Sequence, residues 1–299
     1  MHAVVLRYFD EVARRGSIRK AAQSLNVASS AVNRQILKLE EELGTRLFER
    51  LADGVRLTRA GEILIRHTRN TLYEFERTRS DIEHMRDLKT GHVSIAALES
   101  LLLEFLPDAV SEFAIDHPGI TFAVNEAPPE AIVEAVATGE VDVGISFLPD
   151  SLPLAHVVAE IPAPLKLIVS PQHPLATRRF VRLQECAGYP LALIYGSRIV
   201  TDSLREELAA TTEPQMTRVE TNALDMVKRV VAANVCLGFL TEIGVRRELE
   251  EGTLMAIPLV DSRLSELRMG IIVPSEKRLA FAARIFVEHL TSCMNRLST

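Results

Sequence analysis

The sequence predicts two unlike parts: a helix-dominated head laid out as a winged helix-turn-helix, followed by an α/β body. Three observations predict it. Residues 1–90 carry apolar side chains at helical spacing and only four glycines, Gly16, Gly44, Gly54 and Gly61. From Gly91 onward, short β-branched runs alternate with helical segments, the texture of βα units. Charge divides at the same point: residues 1–90 hold 17 Lys and Arg against 13 Asp and Glu, a net +4, and the remainder holds 17 against 27, a net −10. A basic head on an acidic body suits a protein with one polyanion-binding end. At 299 residues, 47% of them hydrophobic, the chain has enough apolar surface for more than one core.

In the head, Val5, Tyr8, Phe9 and Val12 fall on one helical face, and the first helix ends before Gly16. Ser17 is the N-cap of a second helix from Ile18 to about Leu25, because its hydroxyl can accept from a free N–H of the next turn. Asn26 and Val27 make a tight turn, and a third helix runs from about Ser29 to Leu43, stopped by Gly44. Two short helices joined by so short a turn form a helix-turn-helix. Ala21 and Ala22 permit the close approach, and Val32 and Ile36 supply the buried face of the third helix. The opposite face presents Ser29, Ser30, Asn33, Arg34 and Lys38, short donors and cations without an apolar member. Such a face fits phosphates and base edges, Asn33 by pairing its amide with the edge of adenine. A merely solvated surface is the alternative.

Leu47-Phe48-Glu49-Arg50 and Val55-Arg56-Leu57-Thr58 flank a turn signal, Leu51 to Gly54, and predict a hairpin beside the third helix. Arg50 and Arg56 are its candidate phosphate contacts, while Asp53 would repel a polyanion. Thr58 caps the next helix, and Glu62 in its first turn complements the helix dipole. From Arg59 to about Lys89 there is no proline and one glycine, which predicts a helix of roughly 45 Å. Leu64, Thr68, Thr71, Phe75, Thr78, Ile82 and Met85 follow steps of four and three, the rhythm of a coiled-coil seam that would make a dimer. Packing of a single helix against its own domain is the competing reading.

The stretches LRYFDEVARRGSIRKAAQSLNV, AVNRQILKLEEELGTRLFER and GVRLTRAG, in this order, resemble the DNA-binding domain of the LysR-type transcriptional regulators. The remainder resembles that family's effector domain through HVSIAALESLLLEFLP, ATGEVDVGI, VSPQHPLA and VVAANVCLGFL. The chain departs from the usual pattern at Ala28-Ser29-Ser30, at Asn33 and at Asp53. The resemblance implies a winged helix-turn-helix over 1–58, a dimerisation helix over 59–90 and an effector-binding domain over 91–299. It implies double-stranded DNA as partner, contacted by Ser17, Arg19, Ser29, Ser30, Asn33, Arg34, Gln35, Lys38, Arg50 and Arg56. It further implies a homodimer assembling into a homotetramer, a small-molecule effector with no cofactor, and RNA polymerase as a further candidate partner.

After Gly91 the pattern predicts strands at 92–98, 120–125, 141–147 and 166–170, with helices Glu99–Phe113 and Pro129–Thr138 between them. A second βα set comes next: strand 191–195, a helix from about Thr201 to Ala210, strand 218–220, helix 223–232 and strand 235–240. Strands 253–259 and 268–273 and a helix over 279–297 close the chain. Alternation of this kind implies parallel sheets. The two sets resemble a periplasmic-binding-protein-like pair of lobes, the first over about 91–161 and 268–299, the second over about 162–267. Ligands of open α/β sheets bind beyond the carboxyl ends of strands, near helix N-termini. That rule selects Ser100, Asn125, Glu126, Ser197, Arg198, Thr201 and Asn222, residue types suited to a polar or anionic metabolite. Ordinary helix capping is the alternative for Ser100, Thr201 and Asn222.

No G-x-S-x-G, H-E-x-x-H, P-loop or glycine-rich dinucleotide turn is present, and no enzyme activity is expected. Cys186, Cys236 and Cys293 form no C-x-x-C pair, and no metal is expected. The absence of a long apolar run or a signal-like start predicts a cytoplasmic protein without membrane contact. The function expected is that of an effector-controlled, sequence-specific DNA-binding regulator. The alternative is a cytoplasmic small-molecule-binding module whose head serves only for oligomerisation.

Overall fold

The computed structural model describes residues 2–51, 54–84, 90–152, 154–209, 216–260, 262–274 and 279–297. Asp53, Met85 and Lys89 lie outside them. The chain divides into two units, one of Met1–Asp87 with Thr138–Glu140, the other of Leu88–Ala137 with Val141–Thr299.

The head contains α1 (His2–Arg15), α2 (Ile18–Ser24), α3 (Ser29–Leu43), strands β1 (Phe48–Leu51) and β2 (Gly54–Leu57), and α4 (Arg59–His84). Local chemistry sets the boundaries. Ser17 is extended, and its Oγ accepts from Lys20 N–H at 3.4 Å. Asn26 turns the chain with φ 53°, and Gly44 ends α3 with φ 65°, left-handed conformations that asparagine and glycine tolerate best. Thr58 Oγ1 accepts from Gly61 N–H at 3.1 Å and starts α4. Phe9, Val12, Ala21, Ala22, Val32, Ile36, Leu47, Phe48 and Ile65 form one core, with the Phe9 and Phe48 rings 5.2 Å apart. A side chain on Gly61 would meet the Leu47 carbonyl at 2.2 Å, so this position in the first turn of α4 accepts only glycine.

The seam expected along α4 is divided. Thr68 is buried and Leu64 half-buried within the head, where α4 lies against α1 and Arg69 Nε pairs with Asp10 at 3.1 Å. Packing on its own domain therefore claims the first turns. Phe75 remains 51% exposed and Thr78 is exposed. The side chain of Ile82 lies outside the described residues.

The second unit has two sheets. The first runs β4 (Ile120–Glu126), β3 (Gly91–Ala97), β5 (Val143–Phe147), β13 (Arg268–Val273), β6 (His156–Pro162). The second runs β10 (Met216–Thr221), β9 (Pro190–Ile194), β11 (Leu237–Leu240), β7 (Lys166–Val169), β12 (Met255–Val260), β8 (Val181–Arg182). Around them lie α5 (Glu99–Leu102), α6 (Phe105–Asp116), α7 (Pro129–Ala137), α8 (Arg198–Ala209), α9 (Leu224–Ala232), α10 (Arg246–Glu250) and α11 (Phe281–Leu297). The first sheet has a core around Ile95, Ile145, Ile271 and Phe286, and the second one around Leu167, Leu191 and Leu237.

Three expectations change. The helix expected over Glu99–Phe113 is two, α5 and α6, because Pro107 has no N–H to offer the carbonyl of Leu103 and crowds it. β6 and β8 have no counterpart among the expected strands. The sheets are mixed rather than parallel: β13 is antiparallel to β5 and β6, and β7 is antiparallel to β11 and β12. The reason is the double passage between lobes, near Ala163–Leu165 and Leu264–Leu267. There Ala163 N–H donates to Leu267 O at 2.8 Å and Leu165 N–H to Leu264 O at 2.9 Å, so the two segments run side by side.

Candidate nucleic-acid interface and ligand cleft

α3 offers a polar surface opposite its buried Val32 and Ile36. Ser29, Ser30, Arg34 and Lys38 are exposed, and Asn33 and Gln35 are half-buried. Leu37 is 47% exposed beside them, so the face does carry an apolar member, suited to contact with a thymine methyl. Arg19 is exposed at the start of α2, whereas the Ser17 hydroxyl is occupied in capping. Arg50 on the hairpin reaches toward α3, and its Nη2 donates to Asn33 Oδ1 at 3.4 Å. Arg56 faces Glu49 across the hairpin at 2.8 Å, and that hydrogen bond holds its guanidinium more firmly protonated than usual. Of the two hairpin arginines, Arg50 is the one directed to the α3 surface.

Two acids that sequence reasoning missed shape this head. Glu40 Oε1, near the end of α3, accepts from Leu47 N–H at 2.8 Å and Phe48 N–H at 3.2 Å. Glu11 on α1 is buried and accepts from Arg14 and Arg15, with Arg15 Nε at 2.8 Å. Burial alone would push its carboxyl up, but hydrogen bonds from Arg15, Ser24 and Arg14 outweigh it and hold the carboxyl below its ordinary value. An acid four residues before an arginine was a visible signal for Glu11. Glu40 had none, because its partners are backbone groups.

In the second unit a cleft of about 290 Å³ opens between the two lobes. Its walls are mostly apolar, including Leu98, Phe147, Leu165, Val200, Leu204, Leu224 and Phe239, with polar groups from Glu99, Ser100, Glu126, Tyr195, Ser197, Asn222 and Thr241. Of the residues selected from the sequence, Ser100, Glu126, Ser197, Thr201 and Asn222 line it. Asn125 does not; it is the strand neighbour of Glu126, and successive side chains of a strand point to opposite faces. Arg198 starts α8, but its side chain lies outside the described residues. The Thr201 hydroxyl donates to Ile194 O at 2.8 Å, and Ser197 Oγ accepts from Val200 N–H at 3.2 Å. Both therefore have structural work.

Glu99 was not selected from the sequence. Its Oε2 accepts from Leu224 N–H, at the start of α9 in the other lobe, at 2.8 Å. Burial pushes its carboxyl above the usual carboxylate range, offset in part by the Leu224 N–H, and the neighbouring Glu126 and Asp225 charges push it further.

Elsewhere, Glu112, His289 and Cys293 bring possible metal-ligand atoms within 4.8 Å of one another. Arg296 Nη2 lies 2.7 Å from Glu112 Oε2 and 3.2 Å from Cys293 Sγ, so a guanidinium already supplies the positive charge there. Burial pushes the Cys293 thiol up, against the thiolate that a metal needs. Among the described residues no helix is long and apolar enough to cross a membrane.

A winged helix-turn-helix and a two-lobed α/β domain with a ligand-sized cleft define a DNA-binding regulator that senses a small molecule. Residues 4–62 match the family described as bacterial regulatory helix-turn-helix protein, lysR family, and residues 86–294 match the LysR substrate binding domain. The chain is 32% identical over 292 residues to YwbI, an HTH-type transcriptional regulator of Bacillus subtilis (strain 168), covering 96% of this chain and 95% of the relative. Its fold is similar to a full-length OxyR variant from Pseudomonas aeruginosa, with TM-score 0.74 and 20% identity over 99% of this chain and 95% of that one. It is also similar to full-length CbnR complexed with its target DNA, with TM-score 0.64 and 21% identity over 98% of this chain and all of that one. The protein belongs to the LysR family of transcriptional regulators, and its body has the periplasmic-binding-protein-like fold of that family's effector domains. It is an effector-controlled DNA-binding regulator.

Proposed function

We propose that the exposed face of α3 enters the major groove and that the cleft between the lobes receives the effector. The observation that supports the first part is the clustering of Ser29, Ser30, Asn33, Arg34 and Lys38 on one solvent-facing side, with Arg50 of the hairpin turned toward it. Arg34, Lys38 and Arg50 neutralise phosphates, whereas Asn33, and Leu37 beside it, read base edges. Two heads bind two half-sites through a homodimer made by the exposed part of α4, where Phe75 offers an uncovered ring, and two dimers form a tetramer. Effector binding favours one arrangement of the lobes and so shifts the population of DNA-binding states. The protein works in the cytoplasm, with RNA polymerase as a further partner.

The test is a mobility-shift titration on genomic fragments, followed by footprinting of those retained. We expect sequence-preferring binding whose affinity falls steeply with salt, and a shallower salt slope for Arg34→Ala and Lys38→Ala. Binding that is salt-insensitive or blind to sequence, or an Arg34→Ala protein that binds like the parent, would overturn the assignment of α3.

A further inference from the structure

We propose that the effector of this chain carries a cationic nitrogen on an apolar body, and that Glu99 and Glu126 select it. This rests on the reading of the cleft as the effector site.

The walls come first. Leu98, Phe147, Leu165, Val200, Leu204 and Phe239 enclose a space that matches an apolar group of modest size. Two carboxylates stand among them. β3 and β4 are parallel neighbours with Ala97 beside Glu126, so Glu99, two residues beyond Ala97, comes close to Glu126 at the same end of the sheet. Among the described lining residues there is no lysine or arginine. Lys228, one turn along α9 from Leu224, is held by Glu248 at 2.5 Å, and its charge offsets only part of the upward push on the Glu99 carboxyl.

Two helix-start donors at the cleft are already used, although hydroxyls of Ser100, Tyr195 and Thr241 and the amide of Asn222 also line it. Leu224 N–H at the start of α9 goes to Glu99, and Val200 N–H in the first turn of α8 goes to Ser197 Oγ. The chain thus supplies its own anion at the α9 terminus. A ligand carboxylate would meet two like charges, the half-buried Glu99 and the exposed Glu126, and their repulsion is least screened at Glu99. A ligand ammonium meets the reverse. Glu99 uses Oε2 for Leu224, and among the described residues its Oε1 accepts no hydrogen bond. An ammonium at Oε1 leaves the link to Leu224 intact. It also offsets the burial and the Glu126 charge that push the Glu99 carboxyl up. Keeping Glu99 ionised strengthens its hold on α9, so ligand capture and lobe-to-lobe contact reinforce one another.

The test uses the full chain and three probes of one shape: 3-phenylpropylammonium, 3-phenylpropionate and 3-phenylpropanol, measured by calorimetry and thermal shift. We expect the ammonium to bind at least about tenfold tighter than either other probe, the equivalent of about 1.4 kcal/mol. Glu99→Gln and Glu126→Gln should each weaken the ammonium by about fivefold or more while leaving the alcohol unchanged. Should Glu99→Gln fail to fold, Glu126→Gln, which makes no cap, carries the comparison. Tighter binding of the carboxylate, lost in Arg198→Ala, would overturn the proposal, as would equal binding of all three probes or no binding of the ammonium at millimolar concentration. Selective ammonium binding that leaves DNA affinity and footprint unchanged would instead count against the cleft as effector site, with the ligand class standing.

Discussion

Leu47 N–H donates to Glu40 Oε1 at 2.8 Å, so a carboxylate on α3 holds the strand that opens the hairpin. Phe48 N–H shares the same oxygen at 3.2 Å. Leu47 and Phe48 are both buried, and water cannot easily replace that oxygen. Glu40→Ala should therefore destabilise the head by about 1–3 kcal/mol, the cost of leaving buried donors unmet. It should also weaken DNA binding, although Glu40 itself touches no DNA in the proposed mode. Glu40→Gln keeps an acceptor and should recover part of both. Denaturant unfolding that finds Glu40→Ala as stable as the parent would refute this role.

Asn33 and Arg34 are adjacent on α3 and should behave differently. Asn33→Ala removes a directional amide and should relax preference at one base pair of each half-site, worth about 1–3 kcal/mol of discrimination. Arg34→Ala should weaken all sequences together. Binding-site selection with randomised duplexes separates the two. An Asn33→Ala logo identical to the parent's would mean that Asn33 serves only to hold Arg50.

Glu11 gives the head a pH dependence of known sign. Its folded-state carboxyl lies below its unfolded value, because hydrogen bonds from Arg15, Ser24 and Arg14 outweigh burial. Its contribution is therefore full above the ordinary carboxylate range and is lost as pH falls through the folded value. Melting temperature should drop between about pH 5 and pH 3 in the parent. Glu11→Gln should begin lower at neutral pH and lose less on acidification. Parallel melting curves for the two proteins would contradict this.

The three cysteines should be unreactive in the folded protein. Burial, with help from Glu185, pushes the Cys186 thiol up to about 12, and burial likewise raises Cys236 and Cys293. Thiolate is the reactive form, so little is present at neutral pH. A thiol-specific chromogenic reagent should find no fast-reacting group in native protein and three after denaturation. A fast-reacting cysteine at pH 7 would contradict this and point to an accessible, ionised thiol.

Much of the head was legible because its signals are local. Ser17 and Gly44, and Thr58 in its capping bond to Gly61, act through atoms within a turn of themselves, and Val32 and Ile36 are placed by the helical period alone. The exposed Leu37 shows the limit: one apolar side chain on a polar face is invisible to a rule that sorts faces by average character. Leu64 and Thr68 show another. Their spacing fits a partner helix equally well, and only the position of α1 decides which surface claims them.

The sequence by itself determined the helix-turn-helix, the hairpin, the long helix and the alternation of strands and helices, since each depends on side-chain period and on caps between near neighbours. The tertiary structure decided the mixed strand order, the break between α5 and α6, and which polar groups face the cleft. Glu99 meets Leu224 across 125 positions of chain, and nothing local marks that pair. Contacts of that range follow from how two lobes are folded onto each other, a property of the whole surface that no short stretch contains.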